Sequence, residues 1–191
     1  KDGKASLVFD AKELEVHALA VGPDGAVYAG TSPKGKIYRI PEGGEAKVFF
    51  DPGEEYLWAM LFDGAGNLYA GTGKNGKIYR VSPEGNGEIW LDSDETHVRS
   101  LAFRSDGKLL AGTDPGGLVL EVSGPGKSFV LYDAPVREIA ALACDTKGNV
   151  YAAGLETKAM AGGMPPMPIP VPIGPGAQPP APPGGGDNPE A

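Results

Sequence analysis

Glu15 with His17, Tyr56 with Trp58, and His97 with Arg99 are pairs of side chains able to bind or react. Each pair is two residues apart, and each stands 41 residues beyond the last. Glu138 with Ala140 continues the step. Two residues is the repeat of an extended strand, so the members of a pair share a face. Both histidines and one of the two tryptophans of the chain fall in these slots. If the four strands begin at one end of the molecule, Glu15, His17, Tyr56, Trp58, His97, Arg99 and Glu138 form a mixed rim there. Aromatic rings, imidazole, guanidinium and carboxylates together can hold a sugar, a peptide or a small anion. Glu15 and Glu138 are also hard oxygen donors of the kind Ca²⁺ or Mg²⁺ takes. Exposed carboxylates are more often simply solvated, and no cofactor is expected.

A repeat must position these residues. Gly66-Asn67-Leu68-Tyr69-Ala70-Gly71-Thr72 recurs at 25–31 and 107–113, with a weaker copy at 148–154, and no insertion or deletion disturbs the 41-residue step. Short β-branched and aromatic runs alternate with turn sequences such as Gly22-Pro23-Asp24-Gly25 and Ser32-Pro33-Lys34-Gly35. Four short strands per unit, joined by tight turns, describe a four-stranded antiparallel meander. Stacked units of this length describe the blades of a β-propeller. The recurrent turn glycine at 25, 66, 107 and 148 is expected at positive φ. In the first strand, strict alternation would put Val16, Ala18 and Ala20 on one face and Leu19 and Val21 on the other. That gives a mostly small face and a large one, both apolar, as in sheets stacked face to face.

The expected organisation is all-β. Propeller blades span 1–158, with an outer strand at 5–10, complete blades at 15–51, 56–92 and 97–133, and a half-blade at 138–154. A proline- and glycine-rich tail, read as extended or disordered, occupies 159–191. The half-blade lacks a third strand where Gly-Lys-Ile-Tyr-Arg should return, so closure into a four-bladed ring within one chain is not expected. The chain is expected to be a fragment, a piece of a larger ring whose remaining blades follow the proline-rich insert; those remaining propeller blades, or self-association, are expected to cover the open faces.

The formal charge of −8 argues against a nucleic-acid partner, which needs a basic stripe. No run of eighteen apolar residues exists, so no membrane-spanning helix is expected. Cys144 is the single cysteine and reads as a small buried hydrophobe.

The unit Val-x-x-Leu-Ala-x-x-x-Asp-Gly-x-Leu-Tyr-Ala-Gly-Thr-x-x-x-Gly-x-Ile-Tyr-Arg-Val resembles bacterial β-propeller repeats of the NHL and two-component-regulator (ligand-binding sensor) type over residues 5–154. The Trp-Asp signature of the WD40 class is missing. The resemblance implies that the innermost strand comes first, that ligands meet the face where inner strands begin, and that an extracytoplasmic setting is favoured. The leading expectation is a non-catalytic binding, sensor or scaffold module for a small molecule, sugar, peptide or protein. One alternative is a propeller enzyme, a metal-assisted lyase or lactonase. Another is a purely structural repeat of a larger surface protein. No Gly-x-Ser-x-Gly, His-Glu-x-x-His, P-loop or Cys-x-x-Cys motif is present, and no catalytic residue is assigned.

Overall fold

A computed structural model describes residue 3 and residues 5–156, all within a unit spanning Lys1–Thr157. The tail at 159–191 lies outside the described residues. Fourteen strands follow one another: β1 (Glu15–Val21), β2 (Val27–Ser32), β3 (Ile37–Ile40), β4 (Lys47–Phe50), β5 (Tyr56–Phe62), β6 (Leu68–Gly73), β7 (Lys77–Val81), β8 (Gly87–Asp92), β9 (His97–Phe103), β10 (Leu109–Asp114), β11 (Leu118–Gly124), β12 (Lys127–Asp133), β13 (Glu138–Cys144) and β14 (Val150–Leu155). Within each unit every strand pairs antiparallel with the next, giving three four-stranded meanders and a two-stranded remainder. The only backbone pairing between the second and third meanders among the described residues is Gly73 with His97. No helix among the described residues is long and apolar enough to cross a membrane.

The turn glycine takes φ of 77°, 87°, 83° and 85° at Gly25, Gly66, Gly107 and Gly148, the left-handed backbone its recurrence implies.

The cores lie between meanders. Leu57 and Met60 of β5 cover Ala18, Tyr28 and Ile37 of the first unit; Val98 of β9 covers Tyr69 and Ile78 of the second. Strict alternation fails at one point. Val16 pairs with Thr31 and Ala18 with Gly30, so these two residues oppose adjacent partners and point to opposite faces. An extra residue, His17, sits between them and resets the alternation. Val16, Leu19 and Val21 therefore share one face, and Ala18 and Ala20 the other, in place of the grouping expected above.

Residues 5–10 form no strand, because no third strand lies beside them among the described residues to pair with. The segment nevertheless meets the first unit as the later crossovers meet theirs. Phe9 packs on Tyr38 with ring centroids 4.9 Å apart, and Phe50, one repeat on, packs on Tyr79 at 5.7 Å.

Each crossover also brings a carboxylate. Glu54 is 5% exposed. Its carboxylate accepts from Asn75 Nδ2 at 2.7 Å, Lys77 Nζ at 3.1 Å and the Tyr79 hydroxyl at 3.0 Å. Glu13 repeats this toward Lys36 Nζ (3.2 Å) and the Tyr38 hydroxyl (3.0 Å), and Glu95 accepts from the Gly116 N–H at 2.7 Å. Burial, with the Glu54 carboxylate second, pushes the Tyr79 phenol up to about 12. This latch fastens each crossover to the unit that follows it. The crossover backbone binds the preceding unit as well: the Gly35 N–H donates to the Glu54 carbonyl at 2.8 Å and the Gly76 N–H to the Thr96 carbonyl at 2.9 Å.

Candidate functional site

Every unit carries a bulge at the same place in its first strand. The register shifts between Val16 and Ala18, Leu57 and Ala59, Val98 and Ser100, and Ile139 and Ala141. The extra residues are His17, Trp58, Arg99 and Ala140, a position that differs in all four copies. A bulged residue opposes no single partner on the neighbouring strand and has its side chain re-aimed. The fold thus spends one irregularity per unit on the variable side chain, and all four repeat it.

The structure brings all seven candidate residues into one contiguous chain of contacts, with Trp58 at its centre. Tyr56 stacks on the Trp58 indole, with centroids 4.9 Å apart and planes 4° from parallel. The His17 ring lies 4.6 Å from it, and the Arg99 guanidinium carbon stands 4.1 Å above the ring centroid, a cation–π distance. The ends of the chain are acidic. Glu15 Oε2 lies 2.8 Å from His17 Nε2, and Arg99 Nε donates to Glu138 Oε1 at 2.8 Å. The two glutamates are therefore held apart by the residues between them and engage a ring and a guanidinium rather than each other. A groove of about 300 Å³ runs past His17, Trp58 and Arg99 to Ala140, floored by Met60, Leu101 and Leu142. Ala140 carries only a methyl group beside Arg99, where Trp58 stands beside His17 and Arg99 beside Trp58 in the earlier units.

His97 joins the hub from below. Its Nδ1 accepts the Trp58 indole N–H at 3.1 Å and the Lys74 backbone N–H at 3.3 Å. With two donors on Nδ1, the neutral ring carries its proton on Nε2. Gly73 makes this possible: a Cβ there would run into the Trp58 indole nitrogen and His97 Nδ1. The corresponding residues in the other units are Ser32, Asp114 and Leu155. Gly73 and Lys74 escape a reading by residue type because they contribute backbone and space; the mark they leave in the sequence is a glycine where the other units carry a side chain.

Burial pulls the His97 imidazolium below its ordinary pKa, with Asp114 opposing and Arg99 reinforcing the shift. A lowered folded value means that the unfolded chain takes up the proton first as pH falls. The stability this ring contributes is complete above about pH 6.5 and is lost toward the lowered folded value. The urea midpoint should fall between about pH 7 and 5, and His97→Gln should flatten that part of the decline. An unchanged slope in the variant would contradict the assignment.

Cys144 is a free, partly buried thiol raised in pKa by burial, in keeping with a packing role. No group of three or more His, Cys, Asp or Glu residues among those described is placed to hold a metal ion.

The sequence matches no protein-family model and no curated protein. Solved structures do match. A streptogramin B lyase is similar over 76% of this chain and 50% of its own, at TM-score 0.64 and 16% identity. A chain of the nidogen/laminin complex is similar over 73% and 56%, at TM-score 0.64 and 15% identity. An extracellular domain assigned to a one-component system of B. thetaiotaomicron is similar over 73% and 20%, at TM-score 0.61 and 18% identity. These neighbours are β-propellers. The fold is that of β-propeller blades. The chain spans about half the length of the first two structures. Their roles differ from one another, and at such identities the likeness speaks for architecture alone.

Proposed function

We propose that these blades serve as a non-catalytic binding module whose ligand, a sugar, a peptide or another small molecule, meets the rim centred on Trp58. The observation that carries this reading is the bulge. The same distortion in four units delivers a position that differs in every copy to a common groove, while its immediate neighbours keep their character: Val16, Leu57, Val98 and Ile139 on one side, Ala18, Ala59, Ser100 and Ala141 on the other. A purely structural repeat has no need of divergence there. Two further features support binding. Arg99 leaves both its Nη groups outside the Glu138 contact, and Ala140 leaves room beside it. The enzyme alternative would require Glu15 and Glu138 to leave His17 and Arg99 before either could hold a metal.

Trp58 and Trp90 are the only tryptophans, so fluorescence in a Trp90→Phe background reports the rim directly. Titration with neutral sugars, short peptides and small carboxylates should give a saturable change for at least one class. That change should weaken about tenfold or more in Arg99→Ala, with the circular dichroism of the folded chain unaltered. A change that survives in Arg99→Ala, or none with any class, would remove this reading.

A further inference from the structure

A cleft of about 670 Å³ opens between the first unit and the crossover into the second. Its walls are Pro33, Lys34 and Lys36 of the β2–β3 turn, the crossover at 51–55, and Lys74 of the β6–β7 turn. The next junction shows why it stands open. There the Ser93 N–H and hydroxyl both donate to the Gly76 carbonyl, and Glu95 accepts from the Gly116 backbone N–H. Pro52 occupies the position of Ser93 and has neither donor to offer. Asn75 occupies the position of Gly116 and meets Glu54 through its side chain, so turn and crossover lie a side chain apart.

Among the described residues, only Lys34 and Lys74 combine a side chain with a positive φ, at 61° and 77°, and both line this cleft. Glycine adopts that backbone at lower cost, and the corresponding turn of the third unit has Gly116 and Gly117. Two lysines held there against that cost point to a use for their ammonium groups. The ion pairs single out one of them. Lys36, Lys74 and Lys77 face Glu13, Glu55 and Glu54 at 3.2, 2.7 and 3.1 Å. Asp51, just beyond the edge strand β4, accepts the Gly53 N–H at 3.0 Å. Lys34 faces no carboxylate within ion-pair distance among the described residues.

We propose that this cleft binds a small organic acid, its carboxylate on the Lys34 ammonium and its body between Pro33 and the crossover. The volume is that of a small-molecule pocket, and an ammonium–carboxylate hydrogen bond fixes the orientation of the acid. The site is separate from the rim and does not require the rim to bind anything. Lys74 touches both places, since its backbone N–H donates to His97, so Lys34 is the residue that isolates the cleft.

Heteronuclear NMR of the full 191-residue chain tests this with succinate, galacturonate and N-acetylalanine, set against succinamide, galactose and N-acetylalanine amide. At least one acid should move the Lys34, Gly35 and Gly53 amide signals saturably, with a millimolar Kd. Its neutral counterpart should bind at least about tenfold more weakly. Lys34→Arg should keep the affinity. Lys34→Gly, which relieves the left-handed strain, should raise the urea midpoint and yet lose about tenfold or more in affinity. A lysine present for the turn alone would give the gain in stability without the loss of binding, and that result overturns the proposal. So does the absence of a saturable shift with all three acids, or equal binding of an acid and its neutral counterpart. Shifts confined to Trp58 and Arg99 would also overturn it, leaving the rim as the binding site.

Discussion

Gly76→Ala is expected to destabilise the blades by about 3 kcal/mol, from left-handed backbone strain and overpacking together. The residue has φ of 55°. Its N–H donates to the Thr96 carbonyl at 2.9 Å, and its own carbonyl accepts from the Ser93 N–H at 3.3 Å and the Ser93 hydroxyl at 2.6 Å. A methyl group here would meet the Glu95 backbone carbonyl. The turn cannot retreat without breaking the bonds that tie the second blade to the crossover into the third. Gly25 supplies the control: its φ is 77°, yet nothing lies within 4 Å of the added carbon. Gly25→Ala should cost only about 1 kcal/mol, the backbone contribution alone. Urea denaturation of the two variants measures the difference. Equal losses would show that close approach contributes nothing at Gly76.

Glu54→Ala should cost a similar amount, about 3 kcal/mol, for a different reason. Three donors converge on this carboxylate from the next blade, and its removal leaves Asn75 and Lys77 without this acceptor and Tyr79 with only the Pro52 carbonyl at 3.4 Å. The Lys77 side chain retains 21% exposure, so water relieves part of the loss and keeps the figure at the lower end of the range for a broken buried pair. A combined Glu54→Leu and Lys77→Met replacement should recover at least half of the stability lost in Glu54→Ala, since removing both charges avoids leaving one unpaired. A single-variant loss below about 1 kcal/mol would mean that the latch holds the crossover without stabilising the fold.

The blade architecture was legible because it depends on short-range patterns repeated in register: turn glycines, alternating strands and an unbroken step. The contacts among Glu15, His17, Tyr56, Trp58, His97, Arg99 and Glu138 could be anticipated for the same reason, since equivalent strand starts converge wherever blades stack. The bulge was not legible. Its extra residue leaves no mark in composition, and the apparent parity of Val16, Ala18 and Ala20 concealed it. The latch had left a visible signal in Glu13, Glu54 and Glu95, which share the step of Lys36 and Lys77 and of Tyr38 and Tyr79. Its meaning lay in contacts 21 to 25 residues apart, beyond any local pattern. The strand expected at 5–10 failed because a strand needs a neighbour to pair with, whatever its own propensity.

That spacing has a consequence for how the molecule is made. Each latch joins a carboxylate to partners that follow it by no more than 25 residues, so a chain emerging from the ribosome can fasten one blade before the next has been synthesised. Contacts this local carry a small loop-closure cost and favour rapid folding. Assembly then proceeds in the direction of synthesis, each finished blade offering a template face to its successor, much as a stack of repeats propagates from a nucleus.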